Sequence, residues 1–317
     1  MSAFFISAQP NYGSLKPVPH HFSTLEREVE LEGVGLHCGQ QIRLRLLPSD
    51  KVGVTFVRTD LEGHPEVDAD VAQVSTTVHA TTIECGTARV STIEHLLAAL
   101  WVSDYTHVRV ELNGPEVPIL DGSSQGWIEL LSQAGRRQLE GIRPIAHLQA
   151  PVWVESKGTQ MFGLPLPTPS ENIKTEFRLS VGVDFDAPGA KAQTFDGLVT
   201  ARSFADELAA ARTFTLEAWL APLRGAGLIK GGSLENAILI GTDGTPSSPL
   251  RFENELARHK ALDCVGDLAL AICAQGARFH GHIIAIRAGH GAHRDWVSQA
   301  LANNALIMRA GDYSCDE

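Results

Sequence analysis

The chain has 317 residues, and its 44% hydrophobic and 20% charged content is ordinary for a globular protein with a packed core. The formal net charge of -11 argues against nucleic acid as a partner, because binding a phosphate backbone requires clustered positive charge. No apolar run approaches the roughly 20 residues that a membrane span needs, and no basic segment precedes the short apolar patch at the N-terminus. We therefore expect no integral membrane segment and a cytoplasmic location.

Cysteine usage indicates a reducing compartment. The five cysteines are odd in number and form no C-x-x-C pair: Cys38, Cys85, Cys264, Cys273 and Cys315. A disulfide framework is typical of small secreted domains, whereas scattered cysteines in a chain of this size are typical of a cytosolic enzyme. We predict that these thiols are reduced.

The first half of the chain predicts several strands and two helices. Residues 1–21 are rich in Pro, Ser and His without periodicity, which predicts an N-terminal extension. Apolar alternation then predicts strands at 42–46, 52–57 and 108–112 and a hairpin of 81–85 with 88–90. Helical patterns at 91–101 and 125–134 complete a first domain over residues 22–142.

The same order recurs beyond a boundary at 141–144 that contains glycine and proline. Strands are predicted at 152–154, 177–181, 237–240 and 281–286, and helices near 205–211, 253–274 and 294–302. This second domain covers residues 146–317. The predicted fold class is α+β, with two similar domains that each have a mixed or antiparallel sheet and two helices.

The helix predicted at 253–274 contains a candidate metal site. His259 and Asp263 are four residues apart, so on a helix they share one face. A neutral imidazole and a carboxylate at this spacing can bind one divalent ion, most plausibly zinc. Asp267 continues the same stripe. The alternative is a simple hydrogen bond between His259 and Asp263.

A third ligand is suggested by the segment Ser91-Thr92-Ile93-Glu94-His95. His95 precedes an apolar run and is predicted to face inward with no obvious partner. The alternative for this segment is a capping box, in which Glu94 reaches back to the helix N-terminus near Ser91. Two local pairs that each need a partner suggest one shared site.

Two other stretches leave alternatives open. Residues 216–228 are apolar and contain glycine, and they predict either an amphipathic helix or an insertion that forms an apolar slot; the pattern alone favours the helix. His290 follows a predicted strand and is flanked by glycines. It is placed either to enter a site or to begin a helix.

These segments together resemble the zinc-dependent UDP-3-O-acyl-N-acetylglucosamine deacetylase family of bacterial lipid A synthesis. The likeness extends from about Leu25 to Leu301. Its motifs occur in one order along the chain: Gly33-Val34-Gly35-Leu36-His37, Ser91-Thr92-Ile93-Glu94-His95-Leu96, Glu116-Val117-Pro118-Ile119-Leu120-Asp121-Gly122-Ser123, Ala211-Arg212-Thr213-Phe214, Gly231-Gly232-Ser233, Arg258-His259-Lys260-Ala261-Leu262-Asp263, Val265-Gly266-Asp267-Leu268 and Gly289-His290.

The resemblance implies a role for each matching residue. It implies one catalytic Zn²⁺, with Fe²⁺ as the alternative in the cell, bound by His95, His259 and Asp263. It further implies that Glu94 is the base that activates water and that His290 is a cation or acid oriented by Asp267. The remaining implied positions are the oxyanion-binding Thr213 and the substrate-binding Lys260 (near the phosphates), Phe214, His37 and Gly231.

The resemblance also implies a fold and a reaction. The helices would pack between two sheets, and an insertion at about 213–240 would form a passage for an acyl chain, which replaces the plain-helix interpretation. The expected reaction is hydrolysis of the 2-acetamido group of UDP-3-O-(3-hydroxyacyl)-N-acetylglucosamine, a small-molecule substrate, by a monomer. The alternatives are a zinc amidohydrolase of the same fold acting on another acylated amino sugar, and a catalytically silent binding protein. The presence of every implied catalytic residue argues against the silent protein.

The sequence departs from the family pattern in two places near the expected site. The family usually continues Ala-Leu-Asn after the catalytic histidine, whereas this chain has Gly291-Ala292-His293. The helix that follows is therefore expected to begin differently. His79 is a further histidine that could compete for metal.

Overall fold

The structure is a computed structural model, and it describes residues 20–156, 158–168 and 175–310. Most of the predicted N-terminal extension lies outside the described residues, and His21 already belongs to the first strand. Within the described ranges no helix is both long and apolar enough to span a membrane. The four cysteines described, Cys38, Cys85, Cys264 and Cys273, are all free.

The first half builds one seven-stranded sheet, one small sheet and two helices. Its elements are β1 (His21–Leu25), β2 (Val29–Val34), β3 (Gln41–Pro48), β4 (Gly53–Arg58), β5 (Glu66–Asp68), β6 (Val74–Thr76), β7 (Thr82–Cys85), β8 (Ala88–Ser91), α1 (Glu94–Val102), β9 (His107–Leu112), α2 (Gln125–Ala134) and β10 (Arg136–Ile142). The large sheet has the order β10-β1-β9-β3-β2, with β4 beside β9 and β5 beside β4. Strands β6, β7 and β8 form a separate antiparallel sheet.

The second half builds another seven-stranded sheet. Its elements are β11 (Ile145–Leu148), β12 (Val152–Ser156), β13 (Thr159–Leu164), β14 (Phe177–Val183), β15 (Gln193–Leu198), α3 (Ala201–Ser203), β16 (Phe214–Leu216), α4 (Glu217–Gly225), β17 (Ile238–Ile240), α5 (Glu255–Ile272), β18 (Arg278–Ile286), α6 (His290–Ala302) and β19 (Leu306–Arg309). The large sheet has the order β12-β13-β18-β11-β19, with β14 beside β18 and β15 beside β14. Strands β16 and β17 pair in parallel as a small separate sheet.

The strand pairing of the first large sheet is repeated in the second. Strand β9 pairs antiparallel with β3 and parallel with β4 and β1, and β18 pairs in the same way with β13, β14 and β11. The outer pairs correspond as well, because β10 lies on β1 as β19 lies on β11. Helices α1 and α2 flank β9 along the chain as α5 and α6 flank β18. The α+β prediction with two similar units is thereby confirmed.

The two halves meet through their helices. Helix α5 is buried on all sides, with only Arg258 and Lys260 partly exposed, as expected for a core helix that other elements cover on every face. It packs against α1, α6, β14 and β15. Gly266 permits the contact with α1, because a Cβ at this position would come within 2.0 Å of the carbonyl oxygen of Glu94. The first turn of α1 is therefore pressed against the middle of α5.

Several predicted boundaries were wrong. Helix α6 begins at His290 and not at Arg294, because Gly289 is extended (φ -141°, ψ -173°) and ends the loop. The helix predicted near 205–211 lies earlier, as α3 and a π-helical turn at Phe204–Leu208. Its start is fixed by Thr200, whose hydroxyl accepts a hydrogen bond from the amide of Ser203. Strand β10 has no buried residue, so hydrophobic periodicity does not predict it.

Candidate active site and metal centre

Three buried side chains from two helices converge on one point between the halves of the molecule. His95 lies in the first turn of α1, and His259 and Asp263 lie one turn apart on α5. The Nε2 atoms of both histidines are 3.4 Å from Oδ1 of Asp263. All three side chains are at most 5% exposed. The two local pairs predicted from the sequence are thus brought together as one cluster.

The donor set of this cluster fits a divalent cation. Oδ1 of Asp263 is fully buried, yet among the described residues it has no hydrogen-bond partner. The Nδ1 atom of His259 lies 3.1 Å from the carbonyl oxygen of Ala211, which can only accept, so Nδ1 carries the proton and Nε2 has a free lone pair. A buried carboxylate oxygen without a donor is rare in proteins. Together with two imidazole nitrogens it forms the three-ligand set that leaves a catalytic zinc one open position.

The protonation states agree with ligand roles. Burial lowers the pKa of His259 to about 3, which leaves the imidazole neutral. Burial alone would raise the pKa of Asp263, but the neighbouring His259 and Lys260 hold that pKa well below its usual range. Lys260 contacts the other carboxylate oxygen, with 2.7 Å between Nζ and Oδ2. Asp263 is therefore an ionised carboxylate with one oxygen paired and the other directed at the histidines.

Glu94 lies beside this cluster and does not cap its helix. Ile93 is the N-cap residue of α1 and makes no side-chain cap bond, and Ser91 belongs to β8, so the capping-box alternative is wrong. The Glu94 carboxylate instead lies 3.3 and 3.4 Å from the amide nitrogen of Thr81, which donates to it. Burial raises the pKa of Glu94 to about 7. A carboxylate poised near neutral pH is suited to general base chemistry.

The backbone just before α1 is strained. Thr92 has a φ of 57°, a left-handed conformation that a β-branched residue rarely adopts. Its hydroxyl donates a hydrogen bond of 2.8 Å to Glu116, which is itself buried. Such strain persists only where surrounding contacts hold it, and it is common at functional sites. Here it precedes the turn that presents Glu94 and His95.

A second group of side chains completes the centre. His290 is the first residue of α6, and its Nδ1 lies 2.8 Å from Oδ2 of Asp267. Its Nε2 lies 3.6 Å from Oε1 of Glu94. Burial would lower the pKa of His290, but the carboxylates of Asp267 and Glu94 outweigh it and raise that pKa to about 9. His290 therefore begins a helix and also lies beside the cluster, while its role in a site stays a prediction.

The sequence did not predict two neighbours of Asp267. Nδ1 of His293 lies 2.7 Å from Oδ2 of Asp267, and the hydroxyl of Thr81 donates to Oδ1 at 2.5 Å. The ring nitrogens of His290 and His293 with Asp267 form a second arrangement that could hold a metal. Its contacts are short hydrogen bonds with protons between the atoms, whereas Asp263 has an unsatisfied oxygen. The donor chemistry therefore favours the His95–His259–Asp263 cluster. The sequence signal that could have pointed to His293 is its spacing: it follows His290 by three residues, so on a helix the two histidines share one face.

A large cavity adjoins the cluster, and two residues contact both. The cavity has a volume of about 1340 Å³, and its lining includes Lys260 and His290. Thr213 and Phe214 also line it, as do Trp219, Leu220 and Leu223 of α4. Residues 216–228 thus contain a helix, as the pattern predicts, and this helix forms a wall of the cavity.

His37 and His79 line the cavity too. Within the described residues His79 belongs to neither group of possible metal ligands.

Close backbone approaches fix the position of two predicted substrate residues. The amide of Thr213 donates a hydrogen bond to the carbonyl of Gly122. Gly122 has no side chain that would block this approach, since a Cβ on Gly122 would lie only 2.3 Å from the carbonyl oxygen of Asn236. Gly231 is not part of the cavity lining, whereas Gly232 is. The amide of Gly231 donates to the carbonyl of Leu36, next to His37. Gly231 thus contacts the loop that carries His37 and not the cavity itself.

The chain is similar to known proteins over most of its length. Residues 23–302 match the family described as UDP-3-O-acyl N-acetylglycosamine deacetylase. Proteins named UDP-3-O-acyl-N-acetylglucosamine deacetylase from Nostoc sp. and Thermosynechococcus vestitus are each 40% identical, over 88% and 89% of this chain and 98% and 94% of their own. The one from Solibacter usitatus is 39% identical over 90% of this chain and 92% of its own. The chain belongs to the UDP-3-O-acyl N-acetylglycosamine deacetylase family.

Proposed function

We propose that the protein hydrolyses the 2-acetamido group of UDP-3-O-(3-hydroxyacyl)-N-acetylglucosamine in bacterial lipid A synthesis, releasing acetate and the free amine. Family membership supports the substrate. The observation that carries the reaction is the position of Glu94 and His290, which face each other beside an unsatisfied ligand cluster at the edge of a large cavity.

The cluster of His95, His259 and Asp263 would hold the metal, with Zn²⁺ as the expected ion and Fe²⁺ as the alternative. When bound, such an ion lowers the pKa of water to about 7 and polarises a carbonyl oxygen. The protein supplies the neutral imidazole of His259 and the ionised carboxylate of Asp263 that this binding requires, and His95 would be the third ligand.

Proton transfer is assigned to two residues. Glu94 is held by the amide of Thr81, next in sequence to a ligand, and its raised pKa suits it to accept a proton from water. His290, charged at neutral pH because of Asp267 and Glu94, would stabilise the negative charge that develops on the amide oxygen. The proton that Glu94 accepts, or the one on Nε2 of His290, is then available for the leaving amine.

The substrate would be bound along the cavity. The hydroxyl of Thr213 is assigned to the acetyl oxygen, and the apolar wall formed by α4 and Phe214 to the acyl chain. Lys260 and His37 are assigned to the sugar nucleotide, and Gly231 to supporting the His37 loop. All these groups come from one chain, so the proposed reaction requires no second subunit. The monomeric state and the cytoplasmic location stay predictions.

The test is release of free amine from UDP-3-O-(3-hydroxyacyl)-N-acetylglucosamine by the purified protein, with chelator and with zinc added back. We expect release that the chelator abolishes and zinc restores. A protein that binds one zinc per chain but releases no amine from this substrate would contradict the assignment. That outcome would favour an amidohydrolase of the same fold that acts on another acylated amino sugar.

A further inference from the structure

The proposed reaction leaves one buried histidine beside the active site without a role. His293 is 1% exposed and lies in the first turn of α6, three residues after His290, so both side chains project from one face of the helix. His290 lines the cavity, whereas His293 does not. Any effect of His293 on the reaction must therefore pass through another residue.

That residue is Asp267, which receives three hydrogen bonds from two separate segments, the start of α6 and the loop that carries Thr81. Its Oδ2 accepts from Nδ1 of His290 at 2.8 Å and from Nδ1 of His293 at 2.7 Å. Its Oδ1 accepts from the hydroxyl of Thr81 at 2.5 Å. The carboxylate is 2% exposed, so water does not replace a lost donor without a change in structure.

The two histidines share a single carboxylate oxygen, and this sharing fixes its direction. A carboxylate oxygen has two lone pairs in the plane of the group. When His293 occupies one of them, the other points to His290, and rotation of the carboxylate would break both bonds. The orientation of Asp267 in turn sets where Nε2 of His290 points, which is toward Oε1 of Glu94 at 3.6 Å.

We propose that His293 is a positioning residue for the deacetylation reaction: it holds the Asp267 carboxylate so that His290 presents its Nε2 to the substrate. This inference rests on the proposed function. An asparagine side chain at this position would also offer an N–H donor. The structure thus assigns to this position the supply of one hydrogen bond to Asp267.

The experiment compares His293→Ala, which removes the donor, with His293→Asn, which retains one. In the zinc-loaded enzyme we expect His293→Ala to lower kcat by roughly tenfold or more while KM and zinc content stay unchanged. His293→Asn should retain kcat within about threefold of the wild type. His280→Asn is the matched control, because His280 is equally buried, has both ring nitrogens hydrogen-bonded and lies outside the cavity lining.

The proposal is overturned if His293→Ala keeps the wild-type kcat, or if His293→Asn is as slow as His293→Ala. It is also overturned if the unfolding temperature of His293→Ala falls only as much as that of the His280→Asn control while the kcat of the folded His293→Ala protein is unchanged. Should His293→Ala not fold, the kcat of His293→Asn decides, and a tenfold loss contradicts the proposal.

A second readout separates this inference from the proposed function. In protein labelled with ¹⁵N-histidine, the Nδ1–H proton of His290 reports the bond to Asp267 without any turnover. Its resonance should move in His293→Ala and stay near its wild-type position in His293→Asn. If the wild type releases no amine but this pattern is seen, the substrate assignment fails and the positioning of His290 stands. An unchanged resonance in His293→Ala contradicts the positioning.

Discussion

The two halves of the molecule have the same strand pairing but contribute to the site in different ways. Helix α1 of the first half supplies Glu94 and His95 from its first turn. The corresponding helix of the second half, α5, supplies His259, Asp263 and Asp267 from its middle, at intervals of one turn. The last pair of helices differs more. Helix α6 begins with His290, whereas α2 begins with Gln125 and buries only Trp127, Leu130, Leu131 and Ala134.

This difference shows how a duplicated fold produces a single site. Two equivalent helices cross at Gly266, and the crossing places the start of one against the middle of the other. Neither half supplies all three proposed metal ligands by itself, since His95 comes from the first half and His259 and Asp263 from the second. The reactive geometry therefore depends on the contact between the halves.

The largest effect is expected from the base that the first half contributes. Glu94→Gln keeps the size of the side chain but cannot accept a proton from water, so kcat should fall about 10²- to 10⁴-fold. Zinc content should stay at one per chain, because His95 is unchanged. Amine release and metal analysis test this. Glu129→Gln, at an exposed position on α2, is the control and should keep full activity. Near-normal turnover by Glu94→Gln would remove the role assigned to the first half.

The contact between α1 and α5 can be disturbed directly. In Gly266→Ala the new methyl group would lie 2.0 Å from the carbonyl oxygen of Glu94, which must move. Overpacking of this kind costs about 1–3 kcal/mol, and a displacement of about 1 Å at a reacting group can cost about 10²-fold in kcat. Gly225→Ala, where nothing lies within 4 Å of the new Cβ, is the matched control. Equal kcat and equal unfolding temperatures for the two variants would contradict a tight crossing.

The pH dependence separates the acid of the second half from the base of the first. Below about pH 7 Glu94 gains a proton and cannot act as base, and above about pH 9 His290 loses its charge, so kcat/KM should rise and then fall with pH. A bound cation favours the Glu94 carboxylate and moves the acidic limb to lower pH. Because Asp267 raises the pKa of His290, Asp267→Asn should move the basic limb to lower pH. Asp184→Asn, on the cavity wall, is the control. A basic limb that stays in place in Asp267→Asn would contradict the assignment.

The smallest effect on activity is expected at a second junction between the halves, whose residues contact none of the proposed catalytic groups. The guanidinium of Arg143 is 1% exposed, pairs with Asp104 of the first half and donates to the carbonyls of Gly276 and Ala277 in the second. Burial would raise the pKa of Asp104, but His20 and Arg143 hold it well below its usual range. Its stabilising effect is therefore present at neutral pH and is lost only as strong acid protonates it.

Asp104→Asn leaves Arg143 without its charged partner and should cost roughly 3 kcal/mol of unfolding free energy at neutral pH. The kcat of the folded enzyme should stay the same, since no proposed catalytic group contacts this pair. Denaturant unfolding together with amine release measures both quantities. The control is Asp60→Asn, because Asp60 pairs with Arg58 and both residues belong to the first half. A large loss of kcat in Asp104→Asn would mean that the site depends on this junction as well.

Sequence patterns predicted the elements that are strongly amphipathic or buried. Helix α2 was predicted at its observed bounds, and His259 and Asp263 were found because helical spacing places them on one face. Contacts between distant segments were not predictable in this way. Thr81 and Asp267 are 186 residues apart, and only the packing of the two halves brings them within 2.5 Å. His293 was visible as a departure from the family pattern, but its partner was not.

The position of the bound metal ion is the sharpest test of the proposed site, because the described residues offer two groups of possible ligands. The measurement is an anomalous difference map from crystals of the zinc-loaded protein. We predict one peak about 2.0–2.2 Å from Nε2 of His95, Nε2 of His259 and an oxygen of Asp263. A peak coordinated instead by Asp267, His290 and His293 would contradict it, because the proposed acid would then be a metal ligand.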